Sequence, residues 1–449
     1  MMKTAWDGYH QHAWGYNELD AASNTFHQNT LFGSNSGATI VDALDTLHLM
    51  GMKEELAVAK EWVQTKLNMD VDNKGSVFEL TIRYLGGLLS AYALTEDRVF
   101  LEKAEDIGSR LVKAFNTPSG IPNALVNLRN GQGEKFGWVH CNCAILSEMG
   151  TLRLEFDYLS VATGDPRYKN AVDKAMNLVL KQPRTNGMFP NFVDMSSGGL
   201  VSNDYRLGAI GDSFYEYLVK YWRYTGGLDT WNEGRKLFDE VFASVKKHLI
   251  KTEGGHMYIG DIQGGMFQPR MDHLACFLGG TLMMASQGAK DADGEKFYKD
   301  IAVGLTETCH HSYVRTVSGL GPDIMSWSRG ADGRGVGGNN FYWLRPETVE
   351  SYFYLWRFTK EQKYRDWAWA AVVAIETHCR CGSGYCGLNS VDQEGTGGGN
   401  WHSTQESFFL AETLKYLYLT FSEDEILPLE DWVFNTEAHP LPVQKNRKV

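Results

Sequence analysis

The chain has 449 residues, 43% of them hydrophobic and 12% aromatic, enough for a large core in one closed architecture or several domains. Its formal net charge of −12 leaves nothing to neutralise phosphates, which excludes nucleic acid and an anionic membrane surface as main partners and leaves neutral polar substrates and cations open. No apolar run reaches the ~18 residues of a membrane span, and the opening MMKTAWDGYHQHAWG has no signal-peptide core, so the sequence reads as soluble or as the lumenal part of a longer, anchored protein.

In chain order, DALDTLHLMG is the first apolar helical segment. FELTIRYLGGLLSAYALTEDRVFLEKAEDI then sets a pattern of an apolar, aromatic-rich helix, a turn, and a second helix charged on one face. The pattern returns in LEFDYLSVATGDPRYKNAVDKAMNLVL and DSFYEYLVKYWRYTGGLDTWNEGRKLFDEVF, weakly at HLACFLGGTLMMAS, clearly in ETVESYFYLWRFTKEQKYRDWAWAAVVAI, and last at ESFFLAETLKYLYLTF. About seven stacked helical hairpins result. Buried first helices inside and amphipathic second helices outside predict an all-α protein, a closed α/α barrel with an open superhelix as the alternative.

Strands are expected only as short loop hairpins such as GHMYIG. No Pro- or Ser-rich linker interrupts the chain, so one domain spans 1–442, followed by a basic tail at 443–449. VFNTEAHPLP closes the domain on a turn or extended segment, because its prolines and Asn-Thr pair break any helix; it is either a buried plug or a ligand site.

Acids recur where the inner helices begin: Asp42 and Asp45, Glu79, Glu155, Asp212 and Glu216, Glu347 and Glu350, Glu406 and Glu412. Ser76-x-x-Glu79 and Ser403-x-x-Glu406 have capping-box spacing, so either Glu alone reads as a helix cap. As a set, the acids predict a ring at one barrel mouth, whose mutual repulsion calls for cations or polyhydroxyl ligands. Arg83, four residues after Glu79, and Arg345, two before Glu347, supply counter-charge. With neighbouring aromatics and the Gly-rich SRGADGRGVGGNNFYW, the mouth reads as a sugar pocket, and two carboxylates across a scissile bond are the minimum for glycoside hydrolysis.

Seven cysteines, an odd number, do not read as a disulfide framework. The spacings of His140-Cys141-Asn142-Cys143 and of Cys379, Cys381 and Cys386 are poor for a tetrahedral zinc site.

Taken together, AWDGYHQHAWGYNEL, DALDTLHLMG, FELTIRYLGGLLSAY, LEFDYLSVATGD, DSFYEYLVKYW, DHLACFLGGTL, LRPETVESYFYLWR, ESFFLAETLKYLYLTFS and VFNTEAHP resemble the class I processing α-1,2-mannosidases of glycoside hydrolase family 47, in order from Ala5 to Pro442. The resemblance implies an (α/α)7 barrel with a C-terminal plug that removes α-1,2-linked mannose from high-mannose N-glycans with inversion. It also implies a required Ca2+ held by Thr436, with waters oriented by Glu79, Glu155, Glu350, Glu406 and Glu437. By the same likeness Glu347 is the general base, Glu79 the general acid and Asp212 its competitor, while Arg83, Glu155, His273, Arg345, Glu350 and Glu406 serve the substrate.

A Cys276–Cys309 disulfide follows from the likeness too, and with it an oxidising secretory-pathway lumen. Cys381 with Cys386 is a guessed small loop closure, and Cys141, Cys143 and Cys379 have no assigned part. The expected protein is a monomer whose longer form is membrane-anchored through a segment outside this sequence.

Two departures stand out. Ile210 in GAIGDS is apolar where the endoplasmic-reticulum type has Arg, closer to the Golgi type. GTGGGNWHSTQES lacks the usual form, leaving Trp401 or His402 as the aromatic beneath a terminal sugar. A catalytically quiet mannose-binding lectin of glycoprotein quality control is the alternative function, and a sugar epimerase or another α/α-barrel hydrolase is the reading from periodicity alone.

Overall fold

The computed structural model describes residues 1–227, 232–335, 339–393 and 399–445. Part of each Gly-rich loop and the end of the basic tail therefore lie outside the described residues. Within them, seven helical stretches form an inner ring: Ala38–Leu49, 77–95, Arg153–Thr163, Asp212–Tyr224, 273–286, Glu347–Thr359 and 409–421. Each packs on the next, and 409–413 returns to Ala38–Leu49, so the barrel is closed and the superhelix alternative falls.

The inner helices close up because they are apolar on nearly every face. Every residue from Ala38 to Leu47 is buried, and so is every residue from Leu278 to Ser286. The outer helices bury one stripe only: Arg98–Leu111 hides Phe100, Leu101, Ala104, Ile107, Gly108 and Leu111, at three- and four-residue spacing. Side-chain caps start them, as where Asp97 accepts from the Val99 N–H at 3.1 Å and Asp291 from the Gly294 N–H at 2.8 Å.

Six outer helices directly follow their inner partners. The seventh, Met2–His12, comes from the start of the chain and lies against 409–413, so the two ends complete one hairpin. The strands are two to four residues long; GHMYIG forms half of the hairpin Ile250–Glu253 with His256–Ile259.

The terminal segment is a plug. Trp432–Phe434 pairs antiparallel with Pro440–Pro442, and the turn between them enters the barrel with Asn435, Ala438 and His439 fully buried. Asn435 nucleates that turn: its Oδ1 accepts from the Glu437 and His439 N–H groups at 2.9 and 2.8 Å, and its Nδ2 donates to Ile82 O at 2.8 Å. Gly86 and Gly87 let the plug approach. A Cβ on Gly86 would stand 2.5 Å from Asn435 Nδ2, and one on Gly87 3.2 Å from the His439 ring.

Asp42 and Asp45 are not part of the mouth. Both are fully buried beneath the plug, where His439 Nδ1 is 2.8 Å from Asp45, His439 Nε2 is 3.3 Å from Asp42, and Lys415 is 2.9 Å from Asp45. Ser403 also departs from expectation. Its hydroxyl donates to Asp20 at 2.9 Å and it precedes the strand Thr404–Gln405, so no capping box forms with Glu406. Gln444 and Lys445 are tied back onto the barrel through Tyr224 O and Asp431.

Candidate active site

Inner-helix starts deliver Glu79, Asp212 and Glu347 to the wall of one cavity of about 310 Å3. The helix holding Glu79 starts at Ser76, whose hydroxyl accepts from the Glu79 N–H at 3.2 Å. The Glu79 carboxylate does not complete the capping box; it accepts from Arg83 Nε at 2.8 Å across a π-helical turn, Leu80–Leu85. Asp212 and Glu347 are the first residues of their helices, where the dipole favours negative charge.

These carboxylates sit in different electrical surroundings. Burial dominates at Asp212, and the nearby Glu216, Asp272 and Glu347 charges add to it, so its pKa is pushed up to about 7 despite the Ser213 N–H bond. Burial acts the same way on Glu347 but is outweighed by the His273 hydrogen bond at 2.7 Å and the Arg345 charge. Glu347 is therefore held below its ordinary value and stays ionised.

Beneath them lies an oxygen-only floor. Thr436 Oγ1 donates to Glu216 Oε2 at 2.8 Å, and its N–H donates to the Tyr217 hydroxyl at 3.2 Å. Glu350, Glu412 and Glu437 share the wall, and no His or Cys does. Burial first, and neighbouring carboxylates among the further causes, raise Glu350 to about 8 and lift Glu412 and Glu437 well above their ordinary range. Lys220, fully buried and hydrogen-bonded to Glu216, and Arg83, bonded to Glu437, supply only part of the balancing charge. Such a donor set fits a hard divalent cation.

The other expected residues fall in three places. Arg83, Arg345 and Glu350 line the cavity. Glu155 and His273 do not. Glu155 lies under the plug, accepting from Tyr217 at 2.6 Å and Asn435 at 2.8 Å, with burial pushing it up to about 7; His273 backs Glu347. Glu406 is also off the wall, 3.8 Å from His402, and Glu412 from the same segment takes the cavity position. Neither Trp401 nor His402 reaches the cavity: Trp401 Nε1 donates to His378 O at 3.1 Å and His402 stacks on Trp343. Phe78, Trp138, Phe277 and Phe408 are the aromatics that do among the described residues, and the Arg83 guanidinium lies 5.6 Å from the Phe408 ring centre.

Phe408 and Glu148 are among the wall residues that the sequence reading did not mark. Phe408 stands four residues before Glu412, a spacing that could have found it. Glu148 lies in the short helix Leu146–Gly150 outside the hairpin repeat, so nothing marked it. Burial, followed by the Glu79 charge, pushes it up to about 8, and its Oε2 has no hydrogen-bond partner. Ile210 also lines the cavity, with φ of 70°, a conformation a β-branched residue adopts only under constraint.

Cys276 and Cys309 are bonded, S–S 2.07 Å, joining the start of inner helix 273–286 to outer helix Ala292–Val314. Cys381 pairs with Cys386 and Cys141 with Cys143, leaving Cys379 as the buried free thiol and no thiolate set for zinc. His256, His311 and Asp332 cluster elsewhere, but Arg315 reaches His311 at 3.0 Å and Asp332 at 2.7 Å and already supplies their cation.

Residues 1–443 match the family model described as Glycosyl hydrolase family 47. Mannosyl-oligosaccharide alpha-1,2-mannosidase IA of Drosophila melanogaster is 45% identical over 448 residues, 99% of this chain and 66% of its own length. Mannosyl-oligosaccharide 1,2-alpha-mannosidase IB of Homo sapiens is 44% identical, covering 99% of this chain and 69% of its own. The chain thus spans about two thirds of the length of these relatives. The solved structure of the alpha-1,2-mannosidase from Trichoderma reesei is similar throughout, with a TM-score of 0.88 and 30% identity, over 98% of this chain and 97% of that one. Barrel, plug and cavity all fall within these matches, and the chain belongs to glycosyl hydrolase family 47.

Proposed function

We propose that this chain is a Ca2+-dependent, inverting exo-α-1,2-mannosidase that trims high-mannose N-glycans. The observation that carries the reading is the contrast between Glu347, held ionised, and Asp212, holding a proton up to about 7, on one cavity wall. Glycoside hydrolysis with inversion needs one carboxylate to take a proton from water and one acid to give a proton to the leaving oxygen. Glu347 is the base. Glu79 and Asp212 compete for the acid's part, and the surroundings favour Asp212, because the Glu79 carboxylate receives the Arg83 hydrogen bond.

Arg83 and Arg345 orient the sugar from either side, and Phe408 offers an apolar face. Thr436 is the residue that would hold Ca2+, with Glu350, Glu412 and Glu437 facing its waters. Bound there, the ion would supply a fixed positive charge and orient water and sugar hydroxyls. Residues 1–442 act as one catalytic unit with 443–449 as a basic tail, working as a monomer in the lumen of the secretory pathway. The apolar Ile210 fits the Golgi type, and a longer form would be anchored in the membrane.

The test is the anomer of mannose first released from α-1,2-mannobiose, read by proton NMR before mutarotation. β-Mannose is expected; α-mannose would rule out inversion, and binding without turnover would favour the lectin.

A further inference from the structure

The His273 ring is 1% exposed and sits between two layers of the barrel. Its Nδ1 is 2.7 Å from Glu347 on an inner helix, and its Nε2 is 2.7 Å from the Tyr313 hydroxyl on the outer helix Ala292–Val314. An ionised carboxylate only accepts, so Nδ1 carries a proton, and the tautomer with its one proton there leaves Nε2 as an acceptor that needs a donor. Tyr313 can be that donor, because burial keeps its phenol protonated. Thr348 is the other hydroxyl at Nε2, at 3.2 Å.

The outer helix is held in place for this contact. Cys276 is three residues after His273, and Cys309 is four before Tyr313, so the disulfide and the His–Tyr hydrogen bond tie the same two elements one turn apart. Glu347 is also faced by Arg345 and by the acids Asp212, Glu350 and Glu412, while Tyr342 packs beside His273 and Tyr313. Among these groups, the His273 ring is the one hydrogen-bonded to Glu347 at 2.7 Å, and its orientation depends on what anchors Nε2.

We propose that Tyr313 is a positioning residue for the base: its hydroxyl, carried by the outer helix layer, fixes the His273 ring and tautomer so that Nδ1–H keeps donating to the Glu347 carboxylate. This rests on the assignment of Glu347 under the function proposed above. Loss of the hydroxyl leaves Nε2 buried without its shorter partner and frees the ring to turn, so the carboxylate loses a fixed donor.

The experiment compares wild type and Tyr313→Phe on α-1,2-mannobiose with saturating Ca2+, measuring kcat and KM across pH, with thermal melts to establish that both are folded. For Tyr313→Phe, kcat is expected to fall about 10-fold with KM changed less than about twofold, and the acid limb of the rate profile to move to higher pH. A folded variant with kcat and acid limb unchanged, beside an active wild type, overturns the role of Tyr313 alone. An inactive wild type overturns the hydrolase reading instead. Nitrogen-15 NMR of the wild-type His273 ring then decides about the bridge, with protonation at Nδ1 supporting it and protonation at Nε2 overturning it.

Discussion

Thr436 Oγ1 donates to Glu216 Oε2 at 2.8 Å, so the last turn of the chain is fixed to the fourth inner helix at the floor of the cavity. The hydroxyl is the part of Thr436 that a cation would share. Thr436→Val keeps the shape and removes it, and should weaken Ca2+ binding at least about 10-fold by titration calorimetry while the melting temperature without Ca2+ barely moves. Undiminished Ca2+ affinity would take Thr436 out of the metal site.

Asp212 gives the rate profile an expected alkaline limb. A proton donor with its pKa pushed up to about 7 is progressively emptied above that pH, so kcat/KM should decline as pH rises through it. Asp212→Asn should remove that limb and lower kcat by about 100-fold or more. A limb that persists in the variant would return the acid's part to Glu79.

His439 links the plug to pH. Burial alone would lower its pKa, but the Asp45 charge and the hydrogen bonds to Asp42 and Asp45 outweigh it, and the imidazolium is favoured in the folded state. Its stabilisation is therefore full below the ordinary value of 6.5 and lost as pH rises through the raised one. Asp45, lowered to about 2 by Lys415 and His439 against its own burial, loses its contribution only in strong acid. The melting temperature of His439→Gln should lie furthest below wild type in mildly acidic buffer and approach it in alkaline buffer; a gap that widens with pH would contradict the charged form.

The Cys276–Cys309 bridge closes a sequence separation of 33, for which loop entropy gives about 3–4 kcal/mol. Replacing both cysteines by Ser should lower stability by an amount of that order in denaturant melts. Unchanged stability would mean that the packing of helix Ala292–Val314 suffices without the covalent tie.

The helical hairpins were legible because burial leaves a plain pattern in sequence: all-round apolar inner helices and one-sided outer ones. The hairpin at the ends was not, since Met2–His12 pairs with a helix some 400 residues later and no local spacing records that. Glu79, Asp212 and Glu347 were legible as acids at repeated helix starts, yet Asp42 and Asp45 shared the pattern and lie beneath the plug instead. Position on a helix does not tell which end of a barrel a side chain meets. Thr436 would have passed for a turn residue without the family likeness, and Glu148 sits in a short helix outside the hairpin repeat, too short to show a periodicity of its own.

The most direct test of a metal-dependent hydrolase is mannose release from Man9GlcNAc2 in Ca2+ and in EDTA, with Glu347→Gln alongside. Turnover abolished by both EDTA and the substitution is the expected result. Turnover indifferent to EDTA, or an active Glu347→Gln, would contradict it.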